Sequence, residues 1–462
     1  MKRLILSLAM LSLSGCMLGP DYQRRKAPVP GEFRGTPATP VSIASTKWQD
    51  LFADAALNQM VTTALANNFD VKIAAERAEE ARLQLGITRA TLYPFVDASA
   101  GFTASKSSTI GASALIPAGT QLKSAYSSVG MALSWEIDLW GKLRRLNEAA
   151  RAKYLASEEV RHGVTVSLVS NVMETYFQLL EQDLELEISR RTLGTANDSL
   201  KRVSLRHDRG AASGLDVRQA EQLIFTAGAQ SAAAERAIAQ SENLLSLLQG
   251  SAPAAQTRGR KLEELVLPAQ LPAGSPADLM ERRPDIREAE QQLIAANAQI
   301  GAARALCYPQ LTLNAFAGAQ SRPITQLFSD PASVLSIAPS LLQPIFRAGQ
   351  TQTVVRLSEA QQRELLLSYQ KTIYGALREV ADAVVSIDRL REQRMQEEKL
   401  VQTLEGTVKL SDLRYKGGLD SYLQVLDAER NRFNGQLALA RLRLQERIAV
   451  VQLYRALGGG WS

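Results

Sequence analysis

Three residues of the last helical stretch are of types that could make electrostatic and apolar contacts. Leu423, Asp427 and Arg430 are spaced i, i+4 and i+7, which places them on one face of a helix. A carboxylate and a guanidinium three positions apart form an ion pair that contributes roughly 0.2 to 0.5 kcal/mol in solvent. Spacing alone therefore favours a solvated surface pair at Asp427 and Arg430.

Residues that could perform catalysis or bind a metal are few. The chain has two histidines, His162 and His207, and two cysteines, Cys16 and Cys307, and none of the four lies at ligand spacing from another. The sequence contains no recognisable nucleophile with a base, paired-carboxylate cleft or glycine-rich phosphate loop. We therefore expect no enzymatic activity, no metal and no cofactor.

The start of the chain resembles the signal of a bacterial lipoprotein. Lys2 and Arg3 are charged, Leu4–Leu13 is apolar and of signal-peptide length, and small residues precede Cys16. The resemblance implies cleavage before Cys16 and attachment of diacylglycerol and an N-acyl chain to that cysteine. Met17 follows instead of an aspartate, which by the same resemblance directs the lipoprotein to the outer membrane. A plain secretory signal is the alternative.

The chain contains an internal duplication. Residues 85–94 return 215 positions later as 300–309, and in both places alternating apolar residues follow. Residues 205–221 return as 413–429, at an offset of 208. Two copies of roughly 200 residues predict a pseudo-symmetric domain and exclude a solenoid of short units.

Proline placement predicts two long helices. All 17 prolines lie outside two windows of the chain, and proline is the strongest helix breaker. Within those windows, glycines bound stretches of just under 70 residues at 141–210 and 349–417, which as helices would extend on the order of 100 Å. Helical spacing restarts after each stretch, which predicts antiparallel return helices at 212–249 and 420–457.

Between the helical stretches the apolar period changes from 3.6 to 2 residues, which predicts β-strands. Alternation runs through Val96–Phe102, Val129–Leu139 and Leu311–Ala317. A weaker fourth strand lies around 335–341 and contains Pro339. The prediction is one strand pair in each copy.

A loop is expected at the far end of each strand pair, through Ala104–Gln121 and Gln320–Ala332. The alternation fits a soluble sandwich as well as a membrane sheet. If the strands span a bilayer, several chains must pool them, because a barrel needs at least about eight strands and exposed strand edges do not persist in lipid. Three chains would supply twelve strands.

Aromatic residues cluster at the predicted strand ends, where a membrane-interface girdle belongs. They are Tyr93, Trp135, Trp140, Tyr308 and Phe346. Ordinary core residues are the alternative interpretation. Their position at strand-to-helix junctions favours the girdle.

Several segments together resemble the TolC-like outer membrane factors, and among them the lipid-anchored channels that serve resistance-nodulation-division (RND) efflux pumps. The segments are Cys16 with Gly19–Tyr22, Trp135–Gly141, Arg282–Arg287, Gln343–Gly349 and Arg414–Asp427. The resemblance implies a mainly α fold with a membrane β-barrel. In it, duplicated long antiparallel helical hairpins form a periplasmic α-barrel, and four β-strands per chain contribute to a shared trimeric 12-stranded outer-membrane barrel.

The resemblance also gives the charged pair a role. In lipoprotein members of the family a leucine, an aspartate and an arginine constrict the periplasmic entrance, and a tyrosine belongs to the hydrogen-bond network of the tip. The matching residues here are Leu423, Asp427, Arg430 and Tyr415. The first copy has Gln219 and Gln222 in place of the two charged residues, so the charges occur once. Asp420 and Gln424 depart from TolC itself, so the particular links of that protein are not carried over.

The function that the resemblance implies is a passive exit duct of a tripartite efflux pump. Its partners would be two further copies of the chain, a periplasmic membrane-fusion adaptor that opens the gate on docking, a proton-driven RND transporter of the inner membrane, and outer-membrane lipid. Nucleic acid is not an expected partner, because the net charge of +6 is spread along the chain. The alternatives are a lipid-anchored coiled-coil scaffold and a cell-wall enzyme.

The expected domain organisation has six parts. They are a signal peptide at 1–15, an acylated N-terminus with a proline-rich segment at 16–48, a first repeat at 49–250, an equatorial linker at 251–276, a second repeat at 277–457 and a tail at 458–462.

Overall fold

The computed structural model describes residues 17–24, 29–35, 39, 41–106, 123–265, 267 and 271–460. The chain forms two compact units. The strand-bearing unit comprises Met1–Arg25, Ala78–Ala156 and Ala289–Tyr369, and the helical unit comprises Lys26–Arg77, Ser157–Glu288 and Gln370–Ser462. Each unit takes segments from both copies of the duplication.

The helices and strands follow each other in the same order in both copies. The first copy contains α1 (Trp48–Phe52), α2 (Ala55–Asn67), α3 (Phe69–Ala90), β1 (Phe95–Lys106), β2 (Lys123–Ile137), α4 (Lys142–Asp208) and α5 (Gly214–Leu248). The second contains α6 (Leu279–Arg282), α7 (Pro284–Ala305), β3 (Gln310–Ser321), β4 (Ser333–Leu342), α8 (Gln350–Lys416) and α9 (Tyr422–Ala456). Short 3-10 helices connect some of them.

The lengths of these elements show the duplication directly. The long helices α4 and α8 each have 67 residues, and the return helices α5 and α9 each have 35. The helices before the strands, α3 and α7, each have 22 residues. The predictions of a duplicated fold and of long helices with return helices are confirmed.

Glycines and caps set the helix ends at the predicted places. Gly210 and Gly418 have φ of +73° and +75° just after the long helices, a conformation that glycine adopts without the steric cost of a Cβ. The hydroxyl of Ser213 accepts a hydrogen bond from the Asp216 amide, and the carboxyl group of Asp216 accepts one from the Ser213 amide. This capping box starts α5.

The four strands form one antiparallel sheet in the order β1-β2-β3-β4. Consecutive strands pair throughout, so β1 and β4 are the edges of the described sheet. Pro339 lies in β4 opposite Leu313. An edge strand tolerates proline because one side of it needs no backbone donor.

The register gives the sheet one apolar and one mixed, more polar face. Val96 pairs with Leu133, which pairs with Ala315, which pairs with Ile337. A neighbouring row on the same face joins Ala98, Met131, Ala317 and Leu335. Met131 is 60% and Leu335 is 73% exposed within the single chain. The residues that the structure describes therefore leave this apolar face exposed.

The predicted loop at Ala104–Gln121 is wrong at its start. Residues 104–106 continue β1 and pair with 123–125 of β2. These residues are small or polar and do not alternate, so hydrogen bonding to the partner strand extends β1 where the side-chain pattern ends. The second predicted loop is also shortened, because β3 continues to Ser321.

Small residues let the helices of the helical unit pack closely. One buried cluster joins Ala196 and Val203 of α4, Leu223 of α5, and Tyr422 and Val425 of α9. A second buried cluster contains Ile188, Ala227, Phe433, Leu437 and Ala440. Alanines at such contacts permit the short interaxial distances of side-by-side helices.

Two carboxyl groups, Glu181 and Glu185 of α4, are buried one helical turn apart in this packing. Arg441 and Gln230 donate to the two oxygens of Glu185, at 3.0 and 3.2 Å. Oε1 of Glu181 has no hydrogen-bond partner. Burial, followed by the neighbouring Glu185, raises the pKa of Glu181 to about 8, and Arg441 offsets this in part.

We expect the free energy of unfolding to fall as the pH rises from 4.5, the ordinary pKa of a glutamate side chain, to about 8. Over this range the folded chain keeps the Glu181 proton that the unfolded chain releases. Glu181→Gln should remove this slope and raise the free energy of unfolding at pH 8 by about 1 to 3 kcal/mol. Thermal unfolding followed by circular dichroism at pH 5 and pH 8 measures it. The control is Glu187→Gln, an exposed position on the same helix; equal slopes in the wild type and Glu181→Gln would contradict the prediction.

Candidate functional site

The predicted gate residues lie at the start of α9. Leu423, Asp427 and Arg430 fall within its first three turns, and Leu423 is 49% exposed. Nη2 of Arg430 donates to Oδ1 of Asp427 at 2.9 Å, and Nδ2 of Asn431 donates to Oδ2 at 3.1 Å. Within one chain this is a solvated surface pair, so a gate would need the same residues of other copies.

Contacts of two tyrosines connect the end of the first helical hairpin (α4 and α5) to the end of the second (α8 and α9). The guanidinium of Arg206 lies 4.6 Å from the ring centroid of Tyr415, and its Nη1 donates to the Tyr415 carbonyl at 3.4 Å. The Tyr415 ring meets Tyr422 edge-on at 5.4 Å, and the Tyr422 hydroxyl lies 3.1 Å from the hydroxyl of Ser199. These four residues, which we call the tip cluster, hold α4, α8 and α9 in one arrangement.

The Tyr415 hydroxyl is buried and has no hydrogen-bond partner. Its predicted place in a hydrogen-bond network therefore stays a prediction, and the contacts of its ring are with Arg206 and Tyr422. Arg414 binds Asp420 through two hydrogen bonds, at 2.5 and 3.0 Å. The sequence predicts no partner for either residue, because the turn that joins α8 to α9 brings them together.

Glu429 differs from its counterpart in the first copy. It is 4% exposed, one carboxyl oxygen has no hydrogen-bond partner, and burial raises its pKa. The counterpart, Glu221, is partly exposed and binds Arg218 at 2.8 Å. The same residue type at equivalent positions is thus buried in one copy and partly exposed in an ion pair in the other.

The predicted girdle residues are found at one end of the sheet, where β1 and β3 begin and β2 and β4 end. They are Tyr93, Trp135, Trp140, Tyr308 and Phe346. The indole of Trp140 donates to the Pro309 carbonyl at 2.7 Å and lies 4.9 Å from the Tyr308 ring. The indole of Trp135 donates to the Leu92 carbonyl at 3.1 Å. Their role at a membrane interface stays a prediction.

The sequence analysis did not predict the burial of two charged residues of the helical unit. Asp54 is 1% exposed and accepts hydrogen bonds from the amides of Leu57 and Arg260 and from the Tyr176 hydroxyl. Arg283 is 8% exposed; it binds Asp285 and Glu379 and donates to the carbonyl of Ala456. No local pattern reveals that these residues are buried, since most of their partners are distant in sequence.

The remaining site predictions concern the lipid attachment residue, membrane-spanning helices and metal ligands. Cys16, the predicted lipid attachment residue, lies outside the described residues. Across the part of the chain that the structure describes, no helix is apolar over a sufficient length to cross a membrane. In that same part, no three His, Cys, Asp or Glu residues come together as metal ligands would.

A sheet with an uncovered apolar face, combined with duplicated long helical hairpins, defines the subunit of an outer membrane channel. A family model described as "Outer membrane efflux protein" matches residues 60–251 and 276–459. The chain belongs to this family.

Named relatives agree with the family. The chain is 39% identical over 462 residues to the solvent efflux pump outer membrane protein SrpC of Pseudomonas putida, covering 98% of this chain and 97% of the relative. It is 35% identical to the probable outer membrane lipoprotein SilC of Salmonella typhimurium, covering 97% and 96%. Among solved structures, the open-state MtrE outer membrane channel of Neisseria gonorrhoeae matches with a TM-score of 0.86 at 29% identity, covering 97% and 99%.

The comparisons confirm the predicted TolC-like family, the fold class, the outer-membrane location and the function as an efflux duct. SrpC, by its name, is a component of a transport system and not an enzyme. The gate, the girdle and the lipid attachment are not addressed by the comparisons.

Proposed function

We propose that this protein works as a homotrimer and forms the passive exit duct of a tripartite efflux pump. The observation that carries the proposal is the sheet, whose apolar face is exposed and whose β1 and β4 edges are unpaired within the described chain. Lipid can cover the apolar face, but only strands of other copies can pair the edges. Three copies supply twelve strands, enough for a barrel with an aqueous interior.

The gate of the duct is proposed to lie at the start of α9. In a threefold assembly Leu423, Asp427 and Arg430 would each form a ring of three, and charged rings at a narrow entrance control ion passage. Docking of a periplasmic adaptor would exchange the contacts of these rings for contacts of its own and so favour the open state. The energy would come from a proton-driven RND transporter of the inner membrane.

Two further parts of the proposal concern the lipid and the cargo. Diacylglycerol and an N-acyl chain on Cys16 would anchor the chain, since each buried methylene contributes about 0.8 kcal/mol. Organic solvents are the proposed cargo, because SrpC is named a solvent efflux pump protein. Hypersensitivity to toluene of a strain that lacks this protein, reversed by the intact gene, would support this cargo.

We expect protein purified from outer membranes in detergent to have the mass of three chains and to conduct ions across a planar lipid bilayer. The reason is that a single chain cannot pair its own sheet edges in lipid. Light scattering gives the mass, and single-channel recording gives the conductance. A monomer that conducts nothing would favour the lipid-anchored scaffold instead.

A further inference from the structure

We propose that Met17–Arg24 forms a strap that docks into a receptor site on the strand-bearing unit, with Arg145 as its positioning residue. The docked strap fixes the acylated N-terminus beside the junction of β2 and α4. The part of this proposal that concerns the lipid rests on the acylation proposed above.

Arg145 is buried to an unusual degree for an arginine, with 2% of its surface exposed. Its Nε donates to the Leu18 carbonyl at 3.1 Å, and its Nη2 donates to the Gly19 carbonyl at 3.3 Å and to the Asp21 carboxyl at 2.7 Å. Nη1 binds Glu148 at 2.8 Å. Burying a guanidinium is costly unless its donors are satisfied, and here the strap satisfies two of the three nitrogens.

Glycines allow the strap backbone to approach closely. Gly19 has φ of +91°, and a Cβ added there would lie 2.4 Å from Cα of Gly301 in α7. A Cβ added to Gly301 would lie 2.5 Å from the Leu18 carbonyl oxygen. The two glycines therefore face each other without side chains, a contact that any larger residue on either side would separate.

Polar contacts continue along the strap on both sides of the glycine pair. The Leu18 amide donates to the Trp140 carbonyl at 3.2 Å, and Met17 lies against Gly141. Asn297 donates to the Pro20 carbonyl at 2.8 Å. Farther along, the Tyr22 hydroxyl donates to Glu290 at 3.2 Å. Backbone and side-chain groups of the strap are thus recognised at successive positions.

The receptor site is formed by residues that the duplication does not repeat, because different residues stand at the equivalent positions of the other copy. The residue 208 positions after Arg145 is Thr353, and the residue 215 positions before Asn297 is Arg82, which binds Glu79 at the surface. Gly86, the counterpart of Gly301, has no neighbouring atom within 4 Å of an added Cβ. Among the described residues, each chain therefore holds one strap and one receptor site.

The position of the first strap residue, Met17, determines where the lipid on the preceding residue would lie. Met17 contacts Gly141, which lies between the end of β2 and the start of α4. Trp140 at this junction is also a predicted girdle residue. A docked strap therefore keeps the N-terminal end of the described chain at the membrane-proximal end of the sheet, where acyl chains on the preceding residue can enter lipid.

Hydrogen–deuterium exchange of the full-length protein, purified from outer membranes in detergent, tests the strap. In the wild type we expect the Leu18 amide, which donates to the Trp140 carbonyl, to exchange at least about tenfold more slowly than in an unstructured peptide. Gly301→Val should remove this protection by displacing Leu18, whereas the matched control Gly86→Val should keep it. Circular dichroism and the trimer mass show whether both variants keep their fold.

A second pair of variants examines Arg145 itself. Arg145→Met keeps an unbranched apolar stem but loses the guanidinium and its strap contacts, and we expect faster exchange in the strap peptide with unchanged exchange in peptides of α9. Arg144→Met, which loses a contact with Asp138, is the control. Exchange at the unstructured rate in the wild-type strap would overturn the proposal whether or not the variants fold.

The lipid part has a separate readout. The mass of the N-terminal peptide reports whether the acyl chains are present on Cys16. An unmodified peptide that is still protected would overturn the anchoring role and leave the strap intact. None of these measurements depends on ion conduction, so a protein that fails to conduct could still carry a docked strap.

Discussion

Replacing Asp54 with alanine is expected to lower the free energy of unfolding by about 3 to 5 kcal/mol, the largest stability change that we predict. The carboxyl group caps α2 through the Leu57 amide at 3.0 Å and accepts from the Arg260 amide at 2.9 Å. It also accepts from the Tyr176 hydroxyl at 3.2 Å. Alanine would leave all three donors without this acceptor. Losing the cap alone costs about 1 kcal/mol.

Asp54→Ala should also destabilise the linker between the two copies. A Cβ added to Gly259 would lie 2.4 Å from the Asp54 carboxyl oxygen, so the linker backbone packs directly on this group. We expect Asp54→Ala to lower the thermal midpoint of the helical signal and to expose the linker to proteases. Asp50→Ala, an exposed position four residues earlier, is the control and should change stability by less than about 0.5 kcal/mol. Equal midpoints for the two variants would refute the role of Asp54.

The second large effect is expected at the gate. Asp427→Ala should raise the conductance of the closed channel by about threefold or more, because a ring of three carboxyl groups and its contacts with Arg430 would be lost. Within one chain the side chain makes only exposed contacts, with Arg430 and Asn431. Its removal should therefore leave the fold intact. Single-channel recording of the purified protein in planar bilayers measures the change.

The duplication supplies the matched control for this experiment. Gln219 occupies the position in α5 that corresponds to Asp427 in α9, so Gln219→Ala tests the same truncation without loss of charge. We expect its closed-state conductance to equal that of the wild type. If Asp427→Ala also conducts like the wild type, these charges do not form the gate, and the tip cluster around Tyr415 becomes the next candidate.

Much of the fold could be predicted because its signals are local. The windows free of proline and their glycine borders predicted the 67-residue helices, whose ends fall within two residues of those glycines. Alternation predicted the four strands, including β4 despite Pro339. The extension of β1 through Lys106 could not be predicted, since it depends on hydrogen bonds to Lys123 and its neighbours in β2.

The candidate site was predicted less completely, for a physical reason. The spacing of Asp427 and Arg430 places them on one helical face, and the structure shows them paired. Arg145 lies in the basic stretch Lys142–Arg145, and charged residues are seldom fully buried, yet it is buried beneath the strap. Its partners in the strap lie more than 120 positions away in sequence, and no periodicity encodes such a contact.

The sequence by itself determined the duplication, the order and type of the elements and the apolar character of one sheet face, because helix and strand preferences act over a few residues. Only the tertiary structure decided which charged residues are buried. Asp54, Arg145 and Arg283 look like ordinary polar residues along the chain, and each is enclosed by groups brought from distant segments. Burial of a charge depends on what surrounds it in space, and the chain must fold before those surroundings exist.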